Sequence, residues 1–122
     1  MNRFATRMSH RAKLAVGALA LGALALPAAF ASAQDPSAEL SPEQVEEGRQ
    51  LFNDWACGAC HVMGDAGTVG QVGPAMDGNA ALDYEFTVSR ITHGQGAMPG
   101  FGGQMTDEEI ALLSTYIVQN KK

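Results

Sequence analysis

The chain has two cysteines, three positions apart, and a histidine follows them at once in the run Cys57-Gly58-Ala59-Cys60-His61. This pattern predicts covalent attachment of a c-type haem, because the two thiols can form thioethers with the two vinyl groups of one porphyrin. His61 is then placed beneath the iron as an axial ligand. Zinc sites, redox dithiols and disulfides also use a Cys-x-x-Cys pair, but the adjacent histidine favours haem.

The first third of the chain is organised like a secretory signal peptide. Four basic residues precede an unbroken apolar run over 14–26, and Ala31-Ser32-Ala33 supplies the small residues that signal peptidase accepts. The run is shorter than the roughly 20 apolar residues that span a bilayer, although an uncleaved N-terminal anchor is the alternative. We predict a cleaved signal peptide over 1–33 and a periplasmic mature protein.

The remaining chain is predicted to form a lead-in and one domain. Residues 34–40 are polar, contain a proline and lack periodicity, which indicates a disordered segment. Residues 41–122 have room for a single domain. A domain of this size buries a thin core and usually needs a staple, which a covalent haem can supply. The apoprotein is therefore expected to be largely unfolded.

The charge balance changes once the signal peptide is removed. The whole chain has 8 basic and 13 acidic residues, and the mature part keeps 4 of the basic ones and all the acidic ones, for a formal charge of −9. Such a molecule repels nucleic acid and anionic membranes, so membrane contact is expected only if the N-terminal segment is uncleaved. A redox partner with a basic docking surface is favoured, and the alternative is that the acidity serves solubility alone.

Three helices are predicted from their start signals. Ser41 begins a capping box for a helix reaching about Trp55, and Thr106 begins another for a helix reaching about Asn120. Asp83 caps the middle helix, predicted over 84–93 and ended by Gly94. No strand pattern is convincing.

Helical periodicity predicts which side chains face inward. The expected positions are, in the first helix, Val45, Gly48, Leu51, Phe52 and Trp55; in the second, Phe86, Val88 or Ile91; and in the third, Ile110, Leu113, Tyr116 and Ile117. The segments 62–81 and 94–103 are glycine-rich and irregular, as expected of loops that wrap a flat prosthetic group.

The second axial position of the iron decides between an electron carrier and an open catalytic or gas-binding site. Met98 is the best-placed ligand, since it lies far enough beyond His61 to reach the other face of the ring and sits in a loop stiffened by a proline. His93 is the rival ligand, and an open site is the third option. Met76 and Met105 are expected to pack in the core.

These motifs resemble the class I cytochromes c, small monohaem electron carriers, over roughly residues 43–117. The resemblance rests on four motifs around the Cys-x-x-Cys-His run. Before the run is a Gly-x-x-x-Phe helix (Gly48, Phe52), and after it comes a Gly-Pro pair (Gly73, Pro74). A Met-Pro loop (Met98) and a final Leu-x-x-Tyr helix (Leu113, Tyr116) follow. It implies an all-α cytochrome c fold, with three to four helices and Gly-rich loops around one haem.

The resemblance also implies roles for particular residues. The first and last helices cross with Gly48 at the contact, the Pro74 carbonyl accepts a hydrogen bond from Nδ1 of His61, and Met98 is the distal ligand. Phe52 lies five residues before Cys57, where many members have four, so either Leu51 or Phe52 fills the helix contact.

The function expected from these features is transfer of single electrons between periplasmic redox partners, without enzymatic activity. One alternative is an electron-transfer subunit of a larger dehydrogenase or oxidase. The other is an open-site haem that reduces peroxide or binds a gas, for which His93 is the remaining imidazole.

Overall fold

The computed structural model describes residues 37–122, in which three α-helices are joined by turns and loops. In chain order the elements are α1 (Pro42–Asp54), a 3₁₀ turn (Cys57–Ala59), β1 (Val62–Met63), β2 (Thr68–Val69), α2 (Tyr84–His93) and α3 (Asp107–Asn120). The two short strands pair antiparallel, with Val62 opposite Val69. The prediction of an all-α fold with Gly-rich loops is confirmed, and the strand pair is an addition to it.

The predicted signal peptide, 1–33, lies outside the described residues, as does the start of the lead-in. Over 37–122, no helix combines the length and the apolar character needed to cross a membrane. The described end of the lead-in lies along α3, where the Leu40 amide donates to Oε1 of Gln119 at 3.0 Å and Nε2 of Gln119 donates to the Ala38 carbonyl at 2.7 Å.

Side chains cap the start of each helix as the sequence predicted. The Ser41 hydroxyl accepts from the Gln44 amide, and the Gln44 side chain accepts from the Ser41 amide at 2.9 Å, which completes the capping box. Thr106 and Glu109 form the same arrangement at α3. Asp83 accepts from the third residue of α2. The helix bounds therefore follow from hydrogen bonds between residues close in sequence.

The core lies around α3, which packs against both α1 and α2, and the contact between α1 and α3 lies at Gly48. A Cβ at Gly48 would lie 2.5 Å from Cβ of Tyr116, so the two helices approach more closely there than any other residue permits. Phe52 is fully buried and Leu51 only half-buried, which assigns the helix contact to Phe52. The buried apolar side chains are Phe52, Met63, Met76, Leu82, Ile91, Met105, Ile110, Leu112, Leu113, Tyr116 and Ile117.

Of the alternatives predicted to face inward from α2, Ile91 is confirmed and Phe86 is not. In α2, Ile91 is buried together with Thr87, whereas Phe86 is 40% exposed. Thr87 and Ile91 are four residues apart and share one face of the helix, while Phe86 lies to the side of it. Thr87 is tolerated in the core because its hydroxyl donates to the Asp83 carbonyl at 2.6 Å.

A polar cluster joins α1, the turn after β1 and α3. Oδ2 of Asp65 accepts hydrogen bonds from Nη2 of Arg49 at 2.9 Å and from the Tyr116 hydroxyl at 2.7 Å. Partial burial raises the pKa of Asp65, but the hydrogen bonds from Tyr116 and Arg49 outweigh it and hold the pKa below its usual range. Burial and the neighbouring carboxylate raise the pKa of Tyr116, so the phenol stays a donor.

Candidate haem-binding site

The two cysteines lie in one tight turn directly after α1. The amides of Cys60 and His61 both donate to the Cys57 carbonyl, at 3.1 and 3.0 Å, which draws the five-residue run into a compact loop. Cys57 is half-buried, Cys60 is exposed, and both are free thiols. Burial raises the pKa of Cys57 to about 11. This direction is opposite to the lowered thiol pKa that is typical of redox dithiols.

The His61 ring is buried and its orientation is fixed. Its Nδ1 lies 2.7 Å from the Pro74 carbonyl oxygen, and the residue is 6% exposed. A carbonyl can only accept, so Nδ1 carries the proton and Nε2 keeps its lone pair for a metal ion.

The segment carrying Pro74 is braced against the cysteine turn. The Gly73 amide donates to the Cys60 carbonyl at 2.8 Å. A Cβ at Gly73 would lie 2.4 Å from Cε1 of His61, so only glycine allows the main chain to pass this close to the ring. Gly73 and Pro74 thus hold the imidazole from one side.

Met98 lies in a short turn that rests on the end of α2. Its amide and carbonyl pair with those of Gln95, both at 3.0 Å, and the Phe101 amide donates to the Ile91 carbonyl at 2.8 Å. Gly94 makes this packing possible, because it has a φ of 69° and a Cβ there would lie 2.4 Å from the Met98 carbonyl oxygen.

The four methionines of the described chain fall into two groups. Met63, Met76 and Met105 are 0%, 8% and 4% exposed and belong to the core, whereas Met98 is partly exposed at its edge. The rival ligand His93 is exposed, and its Nδ1 lies 3.1 Å from the Ser89 carbonyl of its own helix.

An aromatic contact brings the cysteine and methionine segments together. The rings of Trp55 and Phe101 meet edge to face, with their centroids 5.7 Å apart. Trp55 is two residues before Cys57, and Phe101 is three residues after Met98. The sequence placed Trp55 on the inward stripe of α1 without indicating this partner, because the two rings are far apart along the chain.

These residues fit a covalently bound haem. The site offers two free thiols in one turn and a buried imidazole whose Nδ1 is already engaged. The Trp55–Phe101 contact links this turn to the loop of Met98, a methionine that is only partly buried. Within 37–122, no group of three or more His, Cys, Asp or Glu side chains is placed to hold a metal ion.

Comparison with known proteins gives the same result. Residues 43–117 match the family described as cytochrome c oxidase, cbb3-type, subunit III. Cytochrome c6 of Leptolyngbya boryana is 32% identical over 78 residues, which cover 58% of this chain and 86% of that protein. Cytochrome c6 of Diacronema lutheri is 30% identical over 79 residues, covering 61% and 93% of the two chains.

A solved structure extends the likeness to three dimensions. The crystal structure of the c-type cytochrome SorU from Sinorhizobium meliloti matches with a TM-score of 0.58 and 32% identity, over 66% of this chain and 93% of that one.

The fold and the site define a small c-type cytochrome of class I. Since the family match spans more than half of its length, the chain belongs to the family described as cytochrome c oxidase, cbb3-type, subunit III. It binds haem c covalently and acts as a monohaem electron carrier rather than an enzyme, exchanging electrons with redox protein partners. The predictions of class, cofactor and electron transfer are thereby confirmed.

Proposed function

We propose that the chain carries single electrons between periplasmic redox proteins, through one haem attached at Cys57 and Cys60 and ligated by His61 and Met98. The haem supplies reversible one-electron exchange at its iron when bound. The observation that carries the proposal is the buried His61 ring, whose Nδ1 lies 2.7 Å from the Pro74 carbonyl oxygen. This contact uses Nδ1, leaves Nε2 as the nitrogen that can bind a metal ion, and holds the ring in one orientation.

Two observations support Met98 as the second axial ligand. The sulfur atoms of the other three methionines belong to side chains already covered by the core, and His93 is directed along its own helix. Thioether ligation favours reduced iron relative to a second imidazole, so this ligand set raises the reduction potential. The tight turn at Gln95 and the contact at Gly94 hold the Met98 main chain in place.

We further propose that residues 1–33 are removed on export and that the domain over 41–122 meets partners with a basic docking surface. The strongly acidic mature chain supports this partner chemistry. Cleavage after Ala33 predicts that N-terminal sequencing of the exported protein starts at Gln34 or at a pyroglutamate formed from it.

A permanent subunit of a larger oxidase or dehydrogenase is the second candidate. The matched family is described as an oxidase subunit, and Val69 and Val72 are 79% and 76% exposed, as an apolar contact surface requires. A free carrier elutes at the size of one small chain from extracts of its native cells. A subunit co-elutes with membrane components after mild detergent extraction.

The ligand set is tested by the optical spectrum of the purified holoprotein beside Met98→Ala. We expect a low-spin haem with the weak far-red band of sulfur–iron(III) bonding, and the loss of this band in the variant. Met76→Leu is the matched control, because Met76 belongs to the core and the variant should keep the band. A high-spin spectrum that binds carbon monoxide and ignores the Met98 substitution would instead support an open site for peroxide or gas chemistry.

A further inference from the structure

Arg90, on the last turn of α2, carries a buried nitrogen without a partner. Its Nε is shielded from solvent and has no hydrogen-bond acceptor. Within 37–122 its guanidinium forms no ion pair with a carboxylate. The guanidinium lies over the Phe86 ring, with Cζ 4.7 Å from the centroid. An aromatic face holds a guanidinium in place but does not satisfy its N–H groups.

The other three cations of the described chain differ from Arg90. Arg49 pairs with Asp65 and Glu46. Nζ of Lys121 donates to the carbonyls of Asn79 and Leu82. Lys122 is exposed at the C-terminus. Among these four cations of the described residues, Arg90 is therefore the one with a buried nitrogen that 37–122 leave without a hydrogen-bond acceptor.

The main chain places Arg90 beside the methionine loop. The Gly94 amide donates to the Arg90 carbonyl at 2.9 Å, and Gly94 is the residue that packs against the Met98 carbonyl. The next residue, Ile91, accepts from the Phe101 amide. The helical turn that bears Arg90 is thus the turn on which the Met98 loop rests.

A partly buried guanidinium without an anion is unfavourable, since desolvation is not offset by pairing. Guanidinium groups bind carboxylates with two parallel hydrogen bonds, and haem c brings two propionate carboxylates. We infer that Arg90 binds a haem propionate, with Phe86 holding the guanidinium in place, and that this pair raises the reduction potential of the iron. The inference rests on haem attachment in the proposed function and is independent of ligation by Met98.

The direction of the effect follows from electrostatics. Removing the Arg90 charge leaves a propionate unneutralised, and a negative charge near the iron stabilises the oxidised state. For Arg90→Gln we expect the equilibrium constant of reduction to fall by about tenfold, which is 59 mV for one electron.

The experiment compares holoproteins carrying Arg90→Gln, Arg90→Lys and Lys122→Gln. Lys122→Gln is the matched control because it removes the same charge from an exposed position. Reduction potentials come from optical redox titration, and resonance Raman spectra report the propionate bending band. We expect Arg90→Gln to lower the reduction potential and to shift the propionate band. Arg90→Lys keeps the charge, so its reduction potential should stay close to that of the wild type while the band shifts. Lys122→Gln should change neither quantity.

The inference is overturned if Arg90→Gln lowers only the thermal midpoint and leaves potential and Raman band as in the wild type. If the Arg90→Gln variant does not accumulate, the Arg90→Lys variant tests the inference. An unchanged propionate band in Arg90→Lys would equally contradict binding of the propionate by the forked guanidinium. The far-red band is recorded in the same samples. Its absence from the wild type rejects Met98 as a ligand without bearing on Arg90.

Discussion

The His61 imidazole is held by two consecutive residues that contribute little side-chain chemistry. Pro74 acts through its main-chain carbonyl, and Gly73 acts by lacking a Cβ where one would lie 2.4 Å from Cε1 of the ring. A carbonyl acceptor at Nδ1 increases the basicity of the coordinating Nε2. The Gly-Pro pair therefore contributes both to packing and to the electronic properties of the ligand.

Gly73→Ala tests this arrangement at the level of one methyl group. The added Cβ displaces the ring from Pro74, so we expect a loss of about 1–3 kcal/mol in the free energy of unfolding of the holoprotein. We also expect the reduction potential to rise, because the imidazole becomes a weaker donor. Denaturant titration and optical redox titration measure the two effects.

Gly67→Ala is the control for this prediction. Gly67 has a φ of 67°, and a Cβ added there would meet no atom within 4 Å, so alanine strains the backbone without touching His61. It should cost about 1 kcal/mol and leave the potential unchanged. If Gly73→Ala leaves stability and potential at wild-type values, the ring is not held as described.

At the scale of elements, α1 and α3 are joined both by packing and by a polar cluster. Gly48 allows the helices to meet at Tyr116, and the Tyr116 hydroxyl donates to Asp65, which also binds Arg49 of α1. One tyrosine thus serves the helix contact with its ring and the turn after β1 with its hydroxyl. The relative position of the two helices is defined at both ends of this side chain.

Gly48→Ala is expected to destabilise the protein although alanine is the better helix former. Alanine gains about 1 kcal/mol in helix propensity, but overpacking against Tyr116 costs about 1–3 kcal/mol. We expect a net loss of up to about 2 kcal/mol in the free energy of unfolding, measured by denaturant titration. Glu47→Ala, at the exposed neighbouring position, should change it by less than about 0.5 kcal/mol. A stabilised Gly48→Ala variant would show that the two helices do not meet there.

At the scale of the whole molecule, the described domain is small and much of it is irregular. Two glycine-rich segments, 62–81 and 94–103, contribute few residues to the core beyond Met63 and Met76. Domains of this size commonly depend on a disulfide, metal or prosthetic group. The two free thiols place that dependence on covalent haem attachment.

Removal of the attachment points tests this dependence. A Cys57→Ser, Cys60→Ser variant, produced without haem, should show little helical signal in far-UV circular dichroism and no cooperative thermal transition, because its core is too small to offset chain entropy. The holoprotein should unfold cooperatively. A haem-free variant with the helical content and sharp transition of the holoprotein would mean that the polypeptide core suffices.

Sequence reasoning succeeded where the signal was local and failed where it depended on remote partners. It placed α2 at 84–93, the bounds that the structure has, because Asp83 and Gly94 act on the adjacent main chain. It offered Phe86, Val88 or Ile91 as inward positions of α2; Ile91 is buried, but so is Thr87, which was not predicted, and Phe86 is exposed. The sequence shows that Arg90 is a charged residue on a mostly uncharged helix. That no described carboxylate pairs with it is apparent only from the folded structure.

The sequence alone predicted where the helices start and that the Cys-x-x-Cys-His run attaches haem. Both predictions were possible because capping and thioether spacing involve groups a few residues apart. It also separated Met98 from Met76 and Met105, which were predicted to pack in the core, but it left open whether Leu51 or Phe52 meets α3 and did not indicate that Trp55 reaches Phe101. Packing between distant segments settled these two points: Phe52 is the residue buried at the helix contact, and Trp55 meets Phe101 edge to face. Burial depends on every neighbour that folding brings together, whereas a cap depends on one turn of chain.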